Sequence, residues 1–163
     1  MADLKTFAPA QFLRDEELRK GIELLYFAYR DLVSDPDEVL AEYGFGRAHH
    51  RVIHFVGRRP GMAVADLLQI LSITKQSLSR VLGTLVAEGY IRQEKGTEDR
   101  RQRLLYLTDK GRELENKLAS LQRERMARAY RESGAEAVAG FWRVLLGLID
   151  EDHRATIQEF VTS

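Results

Sequence analysis

His50 and His54 form the first pair in the sequence whose types and spacing could do chemistry. Four residues apart on a helix, two imidazoles share one face and can hold one metal ion. A complete site would need further ligands, such as Glu23 or Asp31, because the chain has no cysteine. Residues 50–54 read His-Arg-Val-Ile-His, without the glutamate of a zinc-hydrolase helix, and Arg51 sets a cation beside the pair. The expectation is therefore polar histidines, with His49 beside them, that pack a helix and bind no metal. No nucleophile–base pairing, glycine-rich phosphate loop or carboxylate pair stands out either, so the chain reads as a non-enzyme without cofactors. Lack of cysteine also removes disulfides and thiol redox switching.

A second constellation is polar and basic. Lys75, Gln76, Ser77, Ser79, Arg80 and Thr84 share a segment with Leu78, Val81, Leu82, Leu85 and Val86, whose spacing is helical. Gln76 can pair two ways with adenine, and Arg80 or Lys75 can reach the O6 and N7 atoms of guanine. The short hydroxyls of Thr74, Ser77 and Ser79 suit phosphates. Further on, Lys95-Gly96-Thr97-Glu98-Asp99-Arg100-Arg101 is a polar, glycine-containing tip. A planar guanidinium such as that of Arg101 suits a narrow minor groove, and a carboxylate two residues away would lower the cost of orienting it.

Charge is distributed to match. The 163 residues carry 25 Lys and Arg against 25 Asp and Glu, for a net charge of zero. Residues 1–45 are net −5, residues 46–103 net +6 and residues 104–163 net −1. A basic middle between acidic and neutral flanks is the footprint of a polyanion-binding module on a separate scaffold. At 44% hydrophobic and 31% charged residues, the composition is that of a folded, helix-rich protein. No apolar run approaches the ~20 residues of a membrane span. Met1-Ala2-Asp3-Leu4 does not begin a secretory signal, so the expected location is cytoplasmic.

The elements that must position these residues follow from periodicity. Leu18, Ile22, Leu25 and Tyr26 predict a helix from Phe12 to about Leu32, and Ser34-Asp35-Pro36-Asp37 should break it and cap the next. That second helix should run from Asp37 or Glu38 to Val56, bent near Gly44-Phe45-Gly46, and stop at Gly57–Gly61. Val64, Leu67, Leu68 and Leu71 mark a short amphipathic helix. Ser72-Ile73-Thr74 links it to the helix with the polar face, which ends at Gly89. Two short helices so joined describe a helix-turn-helix. The period then shifts towards two at Tyr90–Glu94 and Leu104–Leu107, a hairpin directly after the helix pair. Thr108 should cap a long helix, Asp109 to about Arg131, with Leu114, Leu118 and Leu121 on one side. After Ser133-Gly134 a last helix should carry Val138, Phe141, Trp142, Leu145 and Ile149.

On these residues the sequence resembles the MarR family of bacterial transcriptional regulators. The family's wing signature stands here as Asp99, Arg101, Leu105, Leu107, Thr108 and Gly111, and the resemblance extends from about Leu18 to Ile149. It implies a mainly α fold with a small β-wing: one domain over residues 1–163, with a winged helix-turn-helix lobe at 38–108. Dimerisation helices are implied at 10–35 and 109–163. The implied function is sequence-specific binding of double-stranded DNA by a homodimer on a pseudo-palindromic operator. The helix from Thr74 to Val86 would enter the major groove, Arg101 would reach the minor groove, and Asp99 would orient Arg101. A small-molecule effector is a further family expectation. Residues that could line its pocket are Tyr26, Phe27, Arg30, His50, His54 and Phe55.

Overall fold

A computed structural model describes residues 10–163; Met1–Leu4, read above for a secretory signal, lie outside them. After a 3-10 turn at Gln11–Leu13, the first helix is α1 (Asp15–Glu42). The break expected at Ser34–Asp37 does not occur, and α1 runs through Pro36. Proline withholds an N–H and costs about 3 kcal/mol inside a helix. Here Pro36 is fully buried on the same stripe as Val33 and Leu40, so its ring packs in the core. Ser34 turns its hydroxyl back onto the Asp31 carbonyl at 2.8 Å, and Asp37 accepts from Arg47 Nε at 2.8 Å. Neither starts a new helix.

The stop comes eight residues after Pro36, at Gly44. Its φ of +72° is the left-handed conformation that glycine adopts without strain. Phe45 N–H donates to the Leu40 carbonyl and Gly44 N–H to the Ala41 carbonyl, the paired bonds of a Schellman motif. Phe45 and Leu40 are both buried across that turn. The second helix, α2 (Arg47–Arg58), therefore begins about ten residues later than expected. A lobe boundary between residues 35 and 38 falls within one continuous helix.

The next elements follow the expected order: α3 (Val64–Leu71), α4 (Lys75–Ala87), β2 (Ile91–Lys95), β3 (Arg103–Leu107) and α5 (Asp109–Ser133). One was not anticipated. β1 (Met62–Ala63) pairs antiparallel with β3, opposite Leu105 and Leu104, giving a three-stranded sheet in the order β1-β3-β2. Two residues are too few to show an alternating pattern. The core under this sheet is Ile53, Leu67, Leu78, Leu85, Ile91, Leu105 and Leu118, all fully buried. Each such side chain contributes roughly 1.5–3 kcal/mol by leaving water.

The chain divides into two compact units, one ending at Gln122 and one spanning Arg123–Ser163. The second holds the end of α5, then α6 (Ala135–Leu148) and α7 (Glu151–Thr162). The final helix was not expected, and Ile149 lies at the C-cap of α6, just beyond it. Arg154 of α7 donates to the carbonyls of Gly147 and Ile149, at 3.3 and 3.0 Å, fastening α7 to the end of α6. Trp142 Nε1 donates to Tyr130 OH at 2.9 Å. No residue of α6 or α7 is buried.

Candidate nucleic-acid interface

Ser72 turns the chain between α3 and α4 in the left-handed conformation, with φ of +52°. Thr74 caps α4: its Oγ1 accepts from Ser77 N–H at 3.2 Å and donates to Ser77 Oγ at 2.8 Å. The hydroxyls of Thr74 and Ser77 are thus engaged in setting the helix start. Lys75, Gln76, Ser79 and Arg80 stand exposed on α4, and Leu78, Val81, Leu82 and Leu85 anchor its other side.

The wing is built as tightly as the helix. β2 and β3 pair in register from Ile91 opposite Leu107 to Lys95 opposite Arg103. At the tip, Gly96 N–H donates to the Gln102 carbonyl and Gln102 N–H to the Asp99 carbonyl, each at 3.1 Å. A Cβ on Gly96 would stand 2.3 Å from the Asp99 carbonyl oxygen, so only glycine fits. Asp99 Oδ1 accepts the backbone N–H of Arg101 at 2.9 Å. The carboxylate therefore fixes the main chain at Arg101, and among the described residues no ion pair joins it to the guanidinium. Arg103 Nη1 donates to the Arg100 carbonyl at 3.3 Å, a second tie across the tip.

Helix and wing face each other across a cleft of about 590 Å³. Lys75, Ser79 and Gly83 of α4 line one side, and Gln93, Arg101 and Arg103 line the wing side. Its floor is apolar, with Val64, Leu68 and Leu82. Gln93 and Arg103 were not among the expected site residues, although the alternation of β2 and β3 could have placed them on the α4 side. Three cations and no carboxylate border the cleft, which suits a polyanion.

The residues expected to line an effector pocket separate into two groups. His50, His54 and Phe55 line a groove of about 130 Å³ with Tyr29, Val33, Arg47, Arg51 and Gln122. Tyr26, Phe27 and Arg30 lie elsewhere on α1. Tyr26 and Phe27 pack edge to face at 5.3 Å, and the Arg30 guanidinium sits 4.9 Å from the Phe27 ring centre. The groove is bridged where Arg51 Nη2 donates to Tyr29 OH at 3.1 Å. His54 Nδ1 lies 3.7 Å from Glu115 Oε1 of α5. Among the described residues no group of three or more His, Asp or Glu stands as a metal-binding set. No helix among them is long and apolar enough to cross a membrane.

Two histidines have lowered pKa values. Burial lowers that of His50, and the neighbouring His54 adds to the effect while Asp37 and Glu115 oppose it. Burial also lowers that of His49, against a small opposing pull from Glu88. His49 Nδ1 accepts Gly46 N–H at 3.1 Å, a bond that needs that nitrogen unprotonated. A pKa depressed below the unfolded value near 6.5 means that the unfolded chain binds protons first. The stabilisation is complete above about pH 6.5 and is lost as pH falls through the folded values. The melting temperature should therefore drop between pH 7 and pH 5.5, and drop less in His50→Gln. An unchanged melting temperature over that window would contradict this.

Two short helices followed by a β-hairpin, with cations along helix and tip, define a winged helix-turn-helix. The MarR family profile matches residues 43–102. The chain is 50% identical over 147 residues to the HTH-type transcriptional regulator PetP of Rhodobacter capsulatus, covering 90% of this chain and 89% of that protein. It therefore belongs to the MarR family of helix-turn-helix transcriptional regulators. Its fold is similar to that of Streptococcus pneumoniae FabT, solved in complex with DNA, at a TM-score of 0.71 and 19% identity. That match covers 80% of this chain and 94% of FabT. A mutant MarR from E. coli, complexed with operator DNA, matches at a TM-score of 0.64 and 20% identity, over 86% of this chain and 99% of that one.

Proposed function

We propose that the chain is a non-enzymatic, cytoplasmic regulator that binds a pseudo-palindromic operator as a homodimer. The observation that carries this reading is the cationic cleft bounded by α4 and the wing, where Lys75, Arg101 and Arg103 meet. Placed in the major groove, α4 offers Gln76 and Arg80 to base edges, while Lys75, Ser79 and the hydroxyls at its start lie near phosphates. The backbone strand between the two grooves would then lie over the cleft, against Gln93 and Arg103. Arg101 would enter the neighbouring minor groove, its main chain held by Asp99.

The dimer reading rests on one stripe of α1. Leu18, Ile22, Leu25 and Tyr29 continue, turn by turn, the series buried further on as Val33, Pro36 and Leu40, yet Ile22 is 70% exposed. In the second unit, Phe141, Trp142, Val144 and Leu148 of α6 are likewise exposed. Exposed apolar area of this extent calls for a partner, and a second copy supplies one that matches an operator of two half-sites. A small-molecule effector is assigned to the groove at His50, His54 and Phe55, where it would favour one arrangement of the dimer over another.

Selection of duplexes from random sequence by the purified chain tests the reading. It should return an inverted repeat, and sedimentation should give the mass of two chains. Ile22→Asp should shift the protein towards monomer and lose operator binding. Enrichment of no sequence would overturn the operator, and a wild-type monomer would overturn the dimer.

A further inference from the structure

In the second half of the wing motif, Leu107-Thr108 with Gly111, none of the three residues lines the cleft, yet Thr108 and Gly111 both meet the chain where it leaves α4. That end is a second Schellman turn: Tyr90 N–H donates to the Leu85 carbonyl and Gly89 N–H to the Val86 carbonyl, with Gly89 at φ +81°. Thr108 Oγ1 donates to the Gly89 carbonyl at 2.6 Å, lies 3.2 Å from the Tyr90 carbonyl and accepts Gly111 N–H at 3.1 Å. Its own N–H donates to the Tyr90 carbonyl at 3.0 Å. Lys110 Nζ donates to the Glu88 carbonyl at 3.0 Å and sits 4.3 Å from the Tyr90 ring centre. α4 has no basic residue of its own in its last turn, so this cation of α5 meets the negative end of its dipole.

We infer that Thr108 is a positioning residue for DNA binding: its hydroxyl joins the exit of α4 to the first turn of α5, so that the direction of α4 is set by α5. One hydroxyl serves both helices, capping α5 by accepting and holding α4 by donating. Gly111 lets the two backbones meet, since a Cβ there would stand 2.0 Å from the Tyr90 carbonyl oxygen. In a dimer, two α4 helices must present themselves at a fixed separation, and a joint that fixes their direction sharpens the choice of half-site spacing. This consequence rests on the operator reading above; the joint itself does not.

The test compares Thr108→Val, which keeps the shape and loses the hydroxyl, with Thr108→Ser, which keeps the hydroxyl. Hydrogen exchange in the free protein needs no DNA. Thr108→Val should speed exchange at the amides of Glu88, Gly89 and Tyr90 without affecting Leu78–Leu82, and Thr108→Ser should restore slow exchange. Equal acceleration at both places, or none at Glu88–Tyr90, overturns the joint. For binding, the probe is the duplex that the wild type selects, alongside the same duplex lengthened by one base pair between half-sites. Thr108→Val should bind the selected duplex about tenfold more weakly, in keeping with loss of a cap, and should discriminate less against the lengthened one. Its salt dependence should be that of the wild type, because no phosphate contact is lost. A salt slope shallower by about 0.9 would mark a phosphate contact, and unchanged discrimination would mark a purely structural role. Either result overturns the positioning role. Failure of the wild type to select any duplex bears on the operator reading alone, since the exchange arm still decides the joint.

Discussion

Gly111→Ala is expected to destabilise the protein by about 1–3 kcal/mol, the range of overpacked sites. Helix propensity alone predicts the reverse, because alanine is favoured over glycine inside a helix by roughly 0.5–1 kcal/mol. The clash decides the sign. The added Cβ would stand 2.0 Å from the Tyr90 carbonyl oxygen and 3.0 Å from its carbon, and both are backbone atoms held by the turn at Gly89. Either the first turn of α5 or the end of α4 must move. Gly83→Ala in α4 is the control: nothing lies within 4 Å of the new methyl, so propensity should prevail and stability should rise. Urea unfolding of the two variants beside wild type settles it. A Gly111→Ala protein as stable as Gly83→Ala would show that α4 and α5 do not meet closely.

Arg101→Ala is expected to weaken operator binding by about 1–3 kcal/mol, and Arg80→Ala by a similar amount. Asp99 separates position from charge. Removing its carboxylate takes a negative group away from DNA, which simple electrostatics would favour. The carboxylate nevertheless holds the Arg101 N–H, and with it the tip from which the guanidinium extends. Asp99→Ala should therefore weaken binding despite the gain in net positive charge. Asp99→Asn keeps an acceptor for that N–H and should bind at least as well as the wild type. Titrations of both variants at moderate salt check this. Tighter binding by Asp99→Ala would mean that bulk charge, and not placement of the tip, governs the wing.

The helix-turn-helix and wing were legible because their signals are local. Thr74 precedes a run of apolar residues at helical spacing, and the shift towards a period of two after Gly89 survives in the register of β2 with β3. Pro36 misled for a physical reason. Proline is a helix breaker where its ring gains nothing, but here the ring is buried on the stripe of Val33 and Leu40. The true stop at Gly44-Phe45 lay within view, since glycine followed by a buried aromatic marks a Schellman turn. α7 was missed because its apolar residues are sparse, although Glu151 and Asp152 in its first turn are an acidic start signal.

At the site, residue types identified the side chains that face outward, such as Lys75, Gln76, Arg80 and Arg101. Their partners were less accessible. The tie from Asp99 to the Arg101 main chain depends on how the tip folds, and the groove at His50 and His54 depends on which residues of α1 come alongside α2. Tyr29 lines that groove and Tyr26 does not, although the two stand less than one helical turn apart on α1.

Fluorescence anisotropy of the full chain with the duplex it selects and with a scrambled duplex, across a range of salt, tests the central claim most directly. Sequence-specific binding by α4 and the wing predicts a preference of at least ~10³ for the selected duplex. Affinity for both should fall steeply with salt as counterions are released. Equal, weak binding to the two duplexes at every salt concentration would contradict it.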